Sequence, residues 1–177
     1  MAAMGVPPDP HKVKLFVGLL TGDEALIPKV KQALAGRFGR IDYESPVLDF
    51  AYTGYYEDEM GPGLRRLFLG FQRLRDLKNI YTVKSITNSI EKRFAAQGKR
   101  KVNIDPGYLD LSKIMLFSTK DYSHRVYLDK GIFAEVTLFY KNGRYNAWPW
   151  TYPDYRSDGY ADIFQALRNI YRKQPAG

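Results

Sequence analysis

The chain has 177 residues, of which 45% are hydrophobic and 26% are charged, a balance typical of one folded domain. It has no Cys, which excludes disulfides, Cys-ligated zinc and a thiol nucleophile. The start of the chain lacks the apolar stretch of a signal peptide, and no run approaches the roughly 20 apolar residues that span a bilayer. We therefore expect a cytoplasmic protein without membrane association, with a flexible segment over residues 1–12 and one domain over 13–177.

The net charge of +8 is concentrated in the middle of the sequence. Residues 61–101 contain eleven Lys and Arg against two Asp and Glu, a local charge of +9. Such a block can bind phosphate or a nucleic-acid backbone. Charged residues also form the solvated side of helices and loops, which is the commoner case.

The first half of the chain begins with a strand and a helix. Residues 13–20 are a continuous apolar run, which predicts a buried strand. Thr21 and Glu24 have the spacing of a capping box. From residue 26 to 38 an apolar residue recurs every four positions, which predicts a helix that Gly39 ends.

Three more strands and a second helix are predicted before residue 108. Residues 45–50 and 67–74 are strand-like, with a turn-rich loop over 52–63 between them. A helix is predicted from residue 76 to 98, and a short strand over 101–104 ends at the Asp105-Pro106-Gly107 break. The order β-α-β-β-α-β is that of a ferredoxin-like split βαβ unit.

The second half is predicted to be an antiparallel meander with a terminal helix. Residues 109–119 fit either a strand or a short helix, while 122–128 and 132–141 predict a hairpin closed by residues 129–131. Asn142-Gly143 predicts a second hairpin, and Ser157 is placed to cap the last helix. No linker divides the halves, so we predict one α+β domain with a ferredoxin-like core that the meander and helix extend.

Polar residues are densest over 103–108 and 119–125. Asp105, Asp121 and His124 are the candidates for proton transfer. The candidates for ligand contact are Arg66, Tyr108, Lys120 and Arg125. Carboxylates at several positions would also suit Mg²⁺, but no metal site is predicted and the cofactor is left undefined.

His124 has a structural interpretation beside the catalytic one. A three-residue hairpin loop would place Arg125 opposite Glu135 as a cross-strand ion pair, and His124 opposite Val136 on a core face with Val126. A two-residue loop would shift this register by one residue. A lone His on an apolar face is more often a buried core group than a catalyst.

Several enzyme templates fail on this sequence. There is no GxxxxGK[ST] and hence no P-loop. Thr119-Lys120-Asp121 lacks one residue of the guanine-reading [NT]KxD string. The two-His phosphoesterases need two His-x-[ST] motifs, and neither His11 nor His124 lies in one. One His in the predicted domain also argues against a zinc hydrolase.

Long strings of the sequence resemble a family of single-domain bacterial and archaeal proteins of about 180 residues and unknown function. They are VKLFVG, ESPVLDFAYTGYYEDEMGPGLRRLFLGF, RKVNIDPGYLDLSK, STKDYSHRVYL, GIFAEVTL and PWTYPDY, and the resemblance extends from Val13 to Tyr171. Some members carry a GTP-binding label, which this sequence does not support because it has no P-loop. The resemblance implies no activity.

Two hypotheses follow for the function. The first is a protein, or an undefined enzyme, that binds a small anionic ligand between the loop 52–66 and the segments 105–108 and 120–125. The second is an RNA- or DNA-binding module that uses the basic block 61–101. A structural interaction partner is the third alternative, and the sequence does not indicate an oligomeric state.

Overall fold

The structure, a computed structural model that describes Gly5 and residues 9–175, contains nine strands and four α-helices. The strands are β1 (Lys14–Thr21), β2 (Ile41–Glu44), β3 (Leu48–Asp49), β4 (Arg65–Phe71), β5 (Val102–Leu109), β6 (Lys113–Ser118), β7 (Val126–Asp129), β8 (Ile132–Lys141) and β9 (Arg144–Ala147). The helices are α1 (Ile27–Phe38), α2 (Glu57–Met60), α3 (Thr82–Arg93) and α4 (Asp158–Lys173).

All nine strands belong to one antiparallel sheet. Its main path has the order β2-β4-β1-β5-β6-β8-β7, with β3 beside β4 and β9 beside β8. The strands of the first half form one end of the sheet, and β6 to β9 continue it beyond β5. The α+β class is therefore confirmed, and the later strands extend the first sheet. They do not form the predicted simple meander, because β6 pairs with β8 and not with β7.

Helices cover both faces of the sheet. On one face, Val30 and Leu34 of α1 pack with the α3 side chains against residues such as Val17. On the other face, Phe164 of α4 packs against Phe16, with 5.2 Å between ring centroids. Because successive strand residues point to opposite faces, β1 is buried along its whole length.

The first helix begins later than the sequence pattern suggests. Thr21 is the last residue of β1, and its hydroxyl donates to the Lys101 carbonyl, so the predicted capping box is wrong. Asp23 caps a 3₁₀ turn instead, by accepting from the Ala25 N–H at 3.0 Å. The predicted end is confirmed, since Gly39 has a φ of 94°.

Strand β5 continues through Asp105-Pro106-Gly107, so the predicted break is wrong. All eight β5 residues pair with β1. The Ile104 N–H and carbonyl bond to side chains of α3 rather than to β1. Since backbone groups alternate sides along a strand, the Pro106 nitrogen, like the Ile104 nitrogen, points away from β1 and toward the β6 side. The pairing of β5 with β6 covers only residues 107–109, so the N–H that Pro106 lacks would have had no β6 partner.

Both predicted hairpins are present. Asn142-Gly143 forms the predicted two-residue turn, with φ of 54° and 78°. The first hairpin turns at Lys130-Gly131, a two-residue loop where we expected 129–131. A bulge in β7 then restores the register of the longer loop, and Val126 pairs with Ala134.

Two segments take a different form from the one predicted. The ambiguous segment 109–119 forms the end of β5 and strand β6. The strand predicted over 45–50 is replaced by two short strands, β2 and β3. Ser45 separates these two strands, and its hydroxyl accepts from the Phe68 N–H at 2.9 Å.

Most of the segment predicted to be flexible, residues 1–4 and 6–8, lies outside the described residues, and its flexibility stays a prediction. Closer to β1, His11 Nε2 lies 3.2 Å from Asp110 Oδ2, and the Lys12 carbonyl accepts from the Tyr171 hydroxyl at 2.7 Å. Among the described helices, none combines the length and the hydropathy needed to cross a bilayer.

Candidate functional site

A cleft of ≈ 580 Å³ lies where β5 and β6 separate. The two strands pair only over residues 107–109 and 114–116, so beyond this stretch they diverge. The cleft is lined by side chains of β4, β5, β6 and β8 and by the loops 50–56, 119–122 and 152–155. Its volume is in the range of small-molecule sites.

Lys84 enters the cleft from α3, which packs on the opposite face of the sheet. It is 8% exposed, and its ammonium donates to the Ile104 carbonyl at 3.3 Å. Glu91, two turns later on α3, accepts from the Ile104 N–H at 2.6 Å. These side chains replace the missing β6 partner, since buried backbone groups must be paired.

Arg66 lies at the floor of the cleft between two carboxylates. It is 2% exposed, and its NH1 donates to Asp105 Oδ2 at 3.2 Å while NH2 lies 3.6 Å from Asp154 Oδ2. Burial disfavours the charge, but Asp105, Tyr160, Tyr155 and Asp154 together outweigh burial and raise the pKa of Arg66. Arg66 is therefore a fixed cation.

Asp105 is held by a short chain of polar side chains. Asn103 donates to Asp105 Oδ2 at 2.8 Å, and Arg100 donates to the side-chain amide oxygen of Asn103, Oδ1, at 2.7 Å. Burial raises the pKa of Asp105, but the charges of Arg66 and Lys84, together with the hydrogen bonds from Asn103 and Arg66, lower it below the ordinary value. Asp105 is thus an ionised hydrogen-bond acceptor at neutral pH.

Arg125 organises the far wall of the cleft and forms the predicted ion pair with Glu135. Both side chains are 2% exposed, and Arg125 Nε donates to Glu135 Oε2 at 2.9 Å. The guanidinium also donates to the Ser118 hydroxyl, the Lys120 carbonyl and the Tyr152 hydroxyl. Arg125 therefore positions the 119–122 loop from behind.

Lys120 and Tyr55 meet across the mouth of the cleft. The Lys120 ammonium donates to the Tyr55 hydroxyl at 2.9 Å and lies 4.5 Å from the centre of its ring. This hydrogen bond raises the pKa of Lys120 and lowers that of Tyr55. Lys120 is an exposed cation at the rim.

Four of the predicted site residues line the cleft together: Arg66, Asp105, Lys120 and Arg125. Tyr108 does not, because it faces the α1–α3 side and packs on Phe117, where burial raises its pKa to about 12. Asp121 is exposed in the adjoining loop, outside the cleft lining. The site assignment itself stays a prediction.

His124 lies outside the cleft lining and is not the core residue that the register argument predicts. Its side chain is 20% exposed, Nε2 lies 3.0 Å from Glu135 Oε2, and the ring stacks on Trp150. Val126, on the same predicted face, is 68% exposed. His124 lies before β7, which begins at Val126, and Val126 itself lies on a strand at the edge of the sheet.

The sequence argument missed Lys84, Asn103 and Tyr155. Lys84 had a signal, because it interrupts the apolar stripe of α3 four residues after Ile80. Asn103 also had one, since it lies two residues before Asp105 and shares its face of β5. Tyr155 stacks on Phe164 of α4, and the sequence does not distinguish this core contact from a place in the cleft lining.

No three His, Asp or Glu side chains cluster as metal ligands within the described part of the chain. Comparison with the curated proteins and with the solved structures gives no significant match. The sequence pattern of DUF4416, a domain of unknown function, matches residues 11–171, which include the whole cleft and confirm the family resemblance. The chain belongs to the DUF4416 family.

Proposed function

We propose that the cleft binds a small anionic ligand, phosphorylated or nucleotide-like, and that the protein acts as a binding protein or as an enzyme on such a ligand. Five basic and three acidic side chains line the cleft. Its volume suits a small molecule better than a macromolecule. We keep the cytoplasm, which the lack of Cys favours, as the proposed location.

The observation that carries this proposal is the buried ammonium of Lys84. An ammonium has three N–H donors, and the hydrogen bond to Ile104 uses one of them. Burying a charged group is costly unless it is paired and hydrogen-bonded. A phosphate oxygen or a carboxylate in the cleft would supply the remaining acceptors.

Aromatic side chains at the rim support a ligand with a planar part. Tyr52, Tyr55, Tyr56, Tyr122 and Tyr152 all line the cleft. Phenol rings can stack on a base, and this stacking is tolerant of its identity. Lys120 beside Tyr55 adds a positive charge at the entrance. A nucleotide-like ligand would use both features.

The finer fold assignment is also a proposal: the first half of the chain is a ferredoxin-like split βαβ unit. The order β2-β4-β1-β5 supports it, because each βαβ pair has one strand of the other pair inserted between its members. Antiparallel pairing of β1 with both β4 and β5 is consistent with this topology. With this assignment, the cleft lies between β5, the last strand of the unit, and β6, the first strand added to it.

Nucleic-acid binding by the block 61–101 is the alternative, and the placement of its cations favours it less. Arg66 and Lys84 are buried. Arg65 pairs with Glu24 and Asp49, and Arg100 pairs with Glu59. Four of the eleven basic side chains of this block are thus buried or ion-paired and do not contribute to an open cationic surface.

Calorimetric titration of inorganic pyrophosphate, AMP and a 12-nucleotide RNA into the protein tests the proposal. We expect at least one of the two small anions to bind, and Lys84→Met to weaken its affinity 10-fold or more. Lys92→Met is the matched control, since Lys92 is exposed on the same helix. Melting curves establish that both variants are folded.

Two results would overturn the proposal. One is the absence of binding by either small anion to the wild-type protein. The other is equal affinity in wild-type, Lys84→Met and Lys92→Met proteins. Binding of the RNA alone, with an affinity that falls steeply as the salt concentration rises, would support nucleic-acid binding by the block 61–101 instead.

A further inference from the structure

The floor of the cleft contains hydrogen-bonding groups that an anion alone does not use. Asp105 is 27% exposed in its side chain, and both described hydrogen bonds to it end on Oδ2. Its Oδ1 therefore has acceptor capacity left toward the cleft. Because the lowered pKa keeps this group ionised, it accepts hydrogen bonds and repels an anion.

Tyr155 contributes a buried hydroxyl on the same floor. The residue is 4% exposed and lines the cleft, and its hydroxyl has no hydrogen-bond partner among the described residues. Its ring is fixed by stacking on Phe164, with 5.7 Å between centroids. A buried polar atom without a partner costs free energy, so this hydroxyl calls for a ligand group or an ordered water.

Arg66 decides what kind of group fits between these two residues. It lies between Asp105 and Asp154, and with Lys84, which also acts on Asp105, it supplies two positive charges for these two carboxylates. A second cation at this point would be repelled by the guanidinium, whereas a neutral hydroxyl would not be repelled. A hydroxyl can donate to the carboxylate and accept from the phenol at once. The floor therefore suits hydroxyl groups, while Lys84 suits an anion.

We propose that Asp105 and Tyr155 bind the hydroxyl groups of a phosphorylated sugar, free or within a nucleotide, whose phosphate contacts Lys84. This inference rests on the proposed function and specifies its ligand class. Lys84 and Asp105 line the same cleft of ≈ 580 Å³, so one small ligand can contact both. Asp105 and Tyr155 are then the residues that determine specificity.

The test compares two sugar phosphates that differ by one hydroxyl with a nucleotide and with an anion that has no sugar. Ribose 5-phosphate, 2-deoxyribose 5-phosphate, AMP and pyrophosphate are titrated separately into the wild-type protein. We expect ribose 5-phosphate or AMP to bind at least 10-fold more tightly than the deoxy sugar and pyrophosphate, since a hydrogen bond to a charged group has about this effect. Tighter binding of AMP than of ribose 5-phosphate identifies the nucleotide as the source of the sugar phosphate.

Two variants locate the effect. Tyr155→Phe removes one oxygen and keeps the ring on Phe164, so the fold should be retained. It should weaken sugar-phosphate binding about 10-fold and leave pyrophosphate binding unchanged. Asp105→Asn keeps the size of the side chain and removes its charge. It should weaken sugar-phosphate binding, while pyrophosphate, which the carboxylate repels, should bind equally or more tightly. Lys84→Met should weaken all the phosphorylated ligands together.

The possible failures are distinguishable. If pyrophosphate binds as tightly as the sugar phosphates, or if both floor variants leave sugar-phosphate binding unchanged, the inference is wrong while the anion site stands. If Tyr155→Phe weakens pyrophosphate as much as ribose 5-phosphate, the hydroxyl has no selective role and the inference is also wrong. If none of the four ligands binds, the proposed function fails with it.

Discussion

The buried pair Arg125–Glu135 allows a quantitative test of what holds the far wall of the cleft. Both side chains are 2% exposed, and Glu135 also accepts from Thr137 at 3.0 Å and contacts His124. Removing one partner of a buried ion pair leaves an uncompensated charge, which costs about 3–5 kcal/mol. We expect Glu135→Leu and Arg125→Met each to lose stability of this order.

The double variant Arg125→Met/Glu135→Leu should lose less than the sum of the two single losses. Neither buried charge is then left alone, so we expect a coupling free energy of about 2 kcal/mol. For a chain of this length, a loss of 3–5 kcal/mol lowers the Tm by roughly 6–20 °C. Arg65→Met is the control, because its ion pairs are exposed and should contribute less than about 1 kcal/mol.

Urea denaturation, followed by tryptophan fluorescence and by circular dichroism, measures these differences. Trp150 stacks on His124, which contacts Glu135, so its emission reports on this region. Coincident transitions from the two signals are required before free energies are compared. Single losses below about 1 kcal/mol, or additive losses in the double variant, would refute the account of this pair.

Two further predictions concern β5 and the turn after it. Gly107→Ala should lose about 1–3 kcal/mol or more of stability, because its Cβ would overlap the Met115 carbonyl oxygen and lie 2.7 Å from Phe16 Cζ. The control is Gly36→Ala on α1, where no atom lies near the added Cβ and stability should rise. Urea denaturation measures both changes. Lys113 and Ser112 outweigh burial and lower the pKa of Asp110 to about 2. Since the unfolded chain binds this proton more tightly, Asp110→Asn should cost about 2 kcal/mol at pH 7, and melts repeated downward from pH 4 should show the difference vanish near pH 2. A difference that is independent of pH would contradict this assignment.

Several parts of the fold could be predicted because they depend on neighbouring residues. The stripe that ends at Phe38, the stop at Gly39 and the Asn142-Gly143 turn are local features, and all three are present. The cap of α4 is another, since the Ser157 hydroxyl accepts from the Tyr160 N–H. Periodicity and turn chemistry operate over a few residues, so the sequence displays them directly.

The site could be predicted only in part, because its residues converge from distant segments. Arg66, Asp105 and Lys120 were selected for their chemistry, and the fold brings them to one cleft. Tyr108 was selected with them but faces the other side of the sheet. Successive side chains of a strand point to opposite faces of the sheet. Because the predicted strand ended at residue 104, this alternation was not applied to residues 105–108.

The α+β class, the main helices and turns, the absence of cysteine chemistry and the chemical types available to a site can all be derived from the amino-acid sequence. The course of β5 through Pro106 and its divergence from β6 follow instead from contacts between distant segments. That outcome depends on Lys84 and Glu91, which satisfy the Ile104 backbone from another element. Side chains far along the chain supply those hydrogen bonds, and no local pattern around residue 104 encodes them.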